Sequence, residues 1–255
     1  MAAFPLMLPG TSRPPKLVVF DLDHTLIACD ATILWTEFLY EKKIVTDPIW
    51  RQYDRDMVKS YAKGVLDIRD FCRKHAGAFR SIPEDKLHAL AQEFAKKKIA
   101  PLIFPDGKKW VKNALQANIP ACVLSASAAF IVKPIAKLFG LTDAMGIELA
   151  FKDGFCTGEI VGIPTFQEGK VERLSQRLAE AGIGFEDVLF FTDSRNDLPL
   201  AERAGYTVCV NPDAVLESSA RKNGWKVAEW KLSLRTQMTA QVDAKGVPET
   251  QTVRS

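Results

Sequence analysis

The chain reads as an α/β protein, a parallel-sheet core with a helical cap inserted after the first strand. Three observations predict this. Four strand candidates, at 17–20, 119–127, 188–193 and 207–212, are built on apolar runs, the first without the polar alternation of a half-solvated strand. Runs of that kind suit strands buried on both faces, as in a parallel sheet covered by helices. Segments with apolar residues at helical spacing separate them. Between the first two runs, residues 31–100 carry helical character and little strand signal, more than a single crossover needs.

In order, residues 1–16 are rich in proline and small residues and read as a loose lead-in. The first strand, Leu17-Val18-Val19-Phe20, runs into two carboxylates one residue apart, Asp21 and Asp23. Their side chains share a face if the strand simply continues. Like charges that close bind a cation or share a proton; the plain alternative is an acidic turn with Thr25 capping it. Residues 33–43 predict a short amphipathic helix with Asp30 ahead of it, and Gly64 and Ile82-Pro83 mark breaks. Leu87, Leu90, Ala91, Phe94 and Ala95 fall on one helix face. Trp110, Val111, Ala114 and Leu115 line another, before the second strand ends in Ser125-Ala126-Ser127. A helix over 128–139 is bent by Pro134 and stopped by Gly140. Asp153-Gly154 predicts a hairpin within 147–162, and Val171, Leu174, Leu178 and Ala181 a further helix face. The expected division is a core of 1–29 plus 101–230, a helical cap over 30–100, and a disordered tail over 231–255.

The formal charge of +3 is too small to argue for nucleic acid or a membrane surface. The five cysteines, 29, 72, 122, 156 and 209, are scattered without C-x-x-C spacing, which argues against a disulfide framework or zinc site. No apolar run reaches transmembrane length, and the N-terminus has no basic segment ahead of an apolar one. A cytoplasmic protein is expected.

The stretch D-L-D-H-T at 21–25 resembles the first motif of the haloacid dehalogenase superfamily, a strand ending in D-x-D-x-T. Further features match in order: a strand ending in a hydroxyl at Ser125, a lysine opening a helix at Lys170, and an acidic pair after a strand at Asp193 and Asp197. The layout is most similar to the phosphoserine phosphatase branch, and it implies a Rossmann-like core.

The resemblance also implies chemistry. Asp21 would attack phosphorus and become an aspartyl phosphate. Mg2+ would be held by the Asp21 carboxylate, the Asp23 backbone carbonyl and Asp193 in an all-oxygen shell. Asp23 would protonate the leaving oxygen and later deprotonate water. Ser125 and Lys170 would hold the phosphoryl oxygens, Asp197 would orient Lys170 or a metal-bound water, and Ala126, Asn196 and Asp30 would contact the substrate. The partner is then a small phosphorylated metabolite, with phosphoserine and histidinol phosphate first. Transfer to an alcohol acceptor, or a phosphate-binding regulator without turnover, are the other readings.

Each residue type also has an ordinary use. Ser125 or Ser127 can cap the following helix, Lys170 can be a surface residue, and Asp30 and Asp197 can cap helices. His24 has no role in the pattern; His75 and His88 read as surface residues, and Trp225 and Trp230 as core or closing contacts. Phosphoserine phosphatases usually carry Gly-Gly where this chain has Ala126-Ser127, Glu where it has Asp30, and Gly where it has Thr192. Those departures bear on the substrate, not on the reacting groups.

Overall fold

The computed structural model describes residues 13–233. Most of the lead-in and nearly all of the tail expected to be disordered lie outside the described residues.

Strand β1 (Leu17–Phe20) is followed by four helices, α1 (Ala31–Glu41), α2 (Ile49–Lys63), α3 (Ile68–His75) and α4 (Glu84–Phe94). Then come α5 (Pro105–Gln116), β2 (Ala121–Ala128), α6 (Ala129–Lys137) and β3 (Ala144–Ile147). A hairpin follows, β4 (Leu149–Lys152) and β5 (Phe155–Ile160), and after it α7 (Glu168–Ala181). The chain finishes with β6 (Val188–Thr192), α8 (Leu198–Ala201), β7 (Tyr206–Val210), α9 (Ala214–Asn223) and β8 (Lys226–Ala228).

Six strands form one sheet in the order β3-β2-β1-β6-β7-β8, and every pairing in it is parallel. Connections run outward from β1 on one side and from β6 on the other. The sheet therefore has its switch point between β1 and β6, where open α/β sheets bind ligands beyond the carboxyl ends of their strands. Asp21 and Asp193 are the residues that follow β1 and the last residue of β6 at that point.

The apolar strands are covered on both faces. Val18 and Phe20 join a core with Trp35, Phe94, Val111 and Ile131, whereas Leu17 and Val19 pack on the other side with Val171, Leu174 and Leu200. Trp230 is buried against Phe104 and Phe191, with centroids 6.3 and 5.9 Å away, as a closing contact. The hairpin turn expected at Asp153-Gly154 places both residues at positive φ, 52° and 79°, the signature of a tight two-residue turn.

The four helices between β1 and α5 are not alike. α1 and α4 share the main core through Trp35, Phe38, Leu87 and Phe94. α2 buries only Asp54 and Met57, and α3 only Cys72 and His75. Two expected faces are narrower than read: Leu115 is 42% exposed, being one residue round from Ala114, and Ala181 is exposed at the helix end. His75, expected at the surface, is buried, because it lies one turn from Phe71 and stacks on it at 5.1 Å, with Phe79 edge-on at 5.6 Å.

Candidate active site

The apolar pull of β1 ends at Phe20, and the Asp21 amide extends the β6 pairing by donating to the Phe191 carbonyl at 2.9 Å. The chain then folds back. Leu26 and Ile27 amides both bond the Leu22 carbonyl, and His24 takes the left-handed region at φ 54°. This turn sends the two acids to different partners.

Asp21 accepts from the Lys170 ammonium at 2.7 Å, and the same ammonium donates to Asp197 at 2.8 Å. Asp197 also accepts from the Thr192 hydroxyl at 2.7 Å and makes no side-chain cap to α8, so its capping use is overturned. Lys170 is 1% exposed, which excludes the surface role. It reaches the site because Gly169 presses on the Pro164 carbonyl: a Cβ at Gly169 would lie 1.9 Å from that oxygen. Burial opposes the Lys170 charge, but Asp197 and Asp21 outweigh it and hold the ammonium above its ordinary range. Burial pushes Asp21 up to about 7, with Lys170 pulling the other way and Asp197 and Asp23 adding to the rise.

Asp23 faces the opposite wall. It accepts from the Ala31 amide at 2.7 Å, from the Ser127 hydroxyl at 2.8 Å and from the Ser125 hydroxyl at 3.2 Å. Burial, then the nearby Asp30 charge, raises its carboxyl to about 6, against the pull of the Ala31 amide and Ser127. Ser127 was expected to cap α6. Instead β2 runs on to Ala128, so Ser125 and Ser127 point the same way, onto Asp23. The Thr32 hydroxyl lies 3.1 Å from that of Ser127. Asp30 caps α1 by accepting from the Ile33 amide at 3.0 Å and also borders the cavity.

Above these groups opens a cavity of about 290 Å³. Asp21, Asp23, Asp30, Ala126, Ser127 and Asp193 line its polar side. Met57, Val58, Tyr61, Leu66, Ile68 and Phe71 line the other. No lysine or arginine is in its wall among the described residues. Ser125 lies beneath the wall rather than in it, fully buried.

Asn196, expected at the substrate, is buried and outside the cavity lining, with its amide donating to the Tyr61 carbonyl at 3.0 Å. Its oxygen accepts from Gln167, which also donates to the Gly64 carbonyl at 3.2 Å. Both contacts tie the end of α2 to the strand-end loops. Sequence reasoning passed over Ser127, Thr192 and Thr32 as site residues. The strand pattern running past Ser125 was the available signal for the first, and nothing local pointed to the other two.

The charges ask for a cation. Asp21, Asp193 and Asp197 face one ammonium, and burial followed by the Asp21 and Asp197 charges lifts Asp193 well above the carboxylate range. The Asp193 carboxylate accepts a long 3.3 Å contact from the Thr25 hydroxyl. Among the described residues no three His, Cys, Asp or Glu side chains form a metal cluster. The expected Mg2+ set is consistent with that, since it uses two carboxylates and a backbone carbonyl, all hard oxygen donors.

A parallel α/β sheet with a buried lysine between carboxylates at its switch point defines an enzyme built to handle an anionic group. The chain belongs to the haloacid dehalogenase-like hydrolase family, whose sequence profile matches residues 18–202. It is 35% identical over 220 residues to a histidinol-phosphatase of Neisseria meningitidis serogroup C (strain 8013), covering 85% of this chain and 99% of that one. It resembles the crystal structure of a protein of unknown function from Bordetella pertussis Tohama I, with TM-score 0.75, 32% identity, and 83% and 96% of the two chains covered. A substrate-bound phosphoserine phosphatase shares the fold at TM-score 0.64 and 20% identity, over 90% and 99% of the two chains.

Proposed function

We propose that this phosphoric monoester hydrolase is Mg2+-dependent, works through an aspartyl phosphate on Asp21, and acts on a small phosphorylated amine. The observation that carries the reading is the buried Lys170 bridging Asp21 and Asp197 directly below an acid-lined cavity.

One Asp21 oxygen is held by Lys170, which leaves the other to attack phosphorus. A phosphate dianion approaching a carboxylate is repelled, and Lys170 offsets part of that repulsion in a site of reduced dielectric. Mg2+, held by Asp21, the Asp23 carbonyl and Asp193, would supply further charge neutralisation at the phosphoryl oxygens. The backbone at Ala126 and, once Asp23 releases it, the Ser127 hydroxyl are the wall donors for those oxygens, while Ser125 beneath them holds Asp23 and the Ser127 amide. Asp23, raised to about 6, holds a proton in part of the population near neutral pH. It gives that proton to the leaving alcohol oxygen as the ester bond breaks. Once the alcohol departs, Asp23 takes a proton from the water that cleaves the aspartyl phosphate, restoring both acids. Asp197 holds Lys170 in place.

The helices over residues 30–100 act as the cap that selects the alcohol. Asp30 offers a carboxylate for an ammonium, while the wall, among the described residues, has no lysine or arginine to receive a substrate carboxylate. Burying that carboxylate unpaired is costly. The reading therefore favours histidinol phosphate over phosphoserine, in line with the 35% identity to a protein named histidinol-phosphatase. Phosphate release from both compounds, with Mg2+ and with chelator, tests it. Release should require the metal, favour histidinol phosphate, and vanish in Asp21→Asn. A deamidation-free Asp21→Asn enzyme keeping a tenth of wild-type turnover, a loss of only about 1.4 kcal/mol, would overturn the nucleophile.

A further inference from the structure

Beyond the phosphate end, the cavity wall follows two helix faces. On α2, Met57, Val58 and Tyr61 stand three, four and seven residues after Asp54, so all four share one side of the helix. On α3, Phe71 lies in the wall and His75 is one turn further along. Past the apolar wall, each helix therefore carries a polar residue, and the two meet: His75 Nε2 is 3.6 Å from Asp54 Oδ1. The residues are 4% and 5% exposed.

This pair is short of donors. Neither Asp54 oxygen makes a well-formed hydrogen bond: the Thr36 hydroxyl is a neighbouring donor outside good geometry, and 3.6 Å to the imidazole is too long for one. The Thr36 hydroxyl lies 3.0 Å from His75 Nε2 and points its own hydrogen at the Thr32 carbonyl at 3.4 Å. With the Thr36 hydrogen on Thr32, the ring proton sits on Nε2 and Nδ1 is an acceptor. Buried polar groups in native proteins have partners, and each exception asks for a reason. A small void of about 20 Å³ borders His75 and shares Thr32, Phe71 and Ala126 with the substrate cavity. Asp54 itself lies behind the wall, against His75.

We propose that Asp54 and His75 form the specificity end of the cavity, accepting hydrogen bonds from a second basic nitrogen on the leaving alcohol, beyond the ammonium that Asp30 receives. This rests on the reading of the protein as a phosphatase for phosphorylated amines. The class of substrate is a phosphate ester whose alcohol carries an ammonium near the ester and a further N–H group, such as an imidazole, several bonds away. Entry requires the Phe71 ring to yield, since it stacks on His75 between the two voids.

The test compares wild type, Asp54→Asn and Asp54→Ala on histidinol phosphate and on phosphoethanolamine, which has the ammonium alone, after circular dichroism has shown each variant folded. Wild type should favour histidinol phosphate. The ratio of the two kcat/KM values should fall roughly 10- to 100-fold in both variants, mainly through KM, the range of a charge-assisted hydrogen bond. A ratio within twofold of wild type, an equal loss on both substrates, or a wild type without the preference overturns the proposal and leaves the phosphatase reading standing. If wild type releases phosphate from neither ester nor from p-nitrophenyl phosphate, the phosphatase reading fails instead. Calorimetric titration with histidinol, the alcohol alone, then still decides the role of Asp54: binding by wild type that the variants lose supports it, and equal or absent binding overturns it.

Discussion

At the strand ends, Lys170 lies within 2.8 Å of two carboxylates and Asp23 accepts three hydrogen bonds. Behind the apolar wall, Asp54 is buried and makes no well-formed hydrogen bond. The floor is held at the strand ends, where residues following β1 and β6, from β2 and from α7 pair Lys170 with Asp21 and Asp197 and give Asp23 three donors, leaving Asp193 for a cation. The wall is held by α2 and α3, which bury little and leave acceptors open. A preorganised floor suits chemistry common to all phosphate esters. A wall with unmet acceptors suits selection among them, because the correct alcohol supplies what is missing.

The sharpest way to break the comparison is Lys170→Met. It leaves Asp21 and Asp197 facing each other unpaired and should cost roughly 3–5 kcal/mol of stability, the usual penalty for removing one partner of a buried ion pair. Urea denaturation reads this, and a loss below about 1 kcal/mol would mean that the floor is not held by charge pairing. Next, Asp23→Asn should slow hydrolysis of alkyl phosphates by about 10²–10⁴ while sparing p-nitrophenyl phosphate, whose leaving group departs unprotonated. Equal losses on both would remove the general-acid role.

On the wall, Asp54 and His75 pull stability in opposite directions with pH. Burial raises Asp54 to about 7, so its stabilisation is complete below its unfolded value near 3.8 and is lost as pH rises through 7. Burial lowers His75 to about 4, so its stabilisation is present above its unfolded value of 6.5 and is lost as pH falls towards 4. Between those limits the slopes oppose each other. Relative to wild type, Asp54→Asn should gain roughly 3 kcal/mol in stability from pH 4 to pH 6.5, because it drops the Asp54 slope while every other group titrates alike in both. Thermal melts across that range test it, and a variant with the wild-type profile would show that the two groups do not titrate as their burial requires.

The smallest expected effect joins floor to wall. Asp30→Asn should weaken kcat/KM for an amine-bearing phosphate by about 1.5–3 kcal/mol, the value of a charge-assisted hydrogen bond. Because asparagine caps α1 about as well, the melting temperature should hold. Loss of both together would make Asp30 only a cap.

The sequence by itself determined the layered α/β order, the helical block after the first strand, and the positions of Asp21, Asp23, Lys170, Asp193 and Asp197. Those are legible because uninterrupted apolar runs name buried strands and because the residues that match the family's motifs sit at strand ends and a helix start, features local to a few residues. Only the tertiary structure decided the rest. Asp30 could be seen as a cap or as a substrate contact, and its place at both α1 and the cavity appears only once the fold brings them together. Ser127 joins Asp23 across 104 residues, and Asn196 reaches Tyr61 across 135. His75 is inside because Phe71, Phe79 and Thr36 enclose it. Asp54 lost its water when α2 lay against α1 and α3. Spacing along a chain gives which face a side chain takes, but the partner on that face comes from a distant segment, and burial and charge depend on that partner.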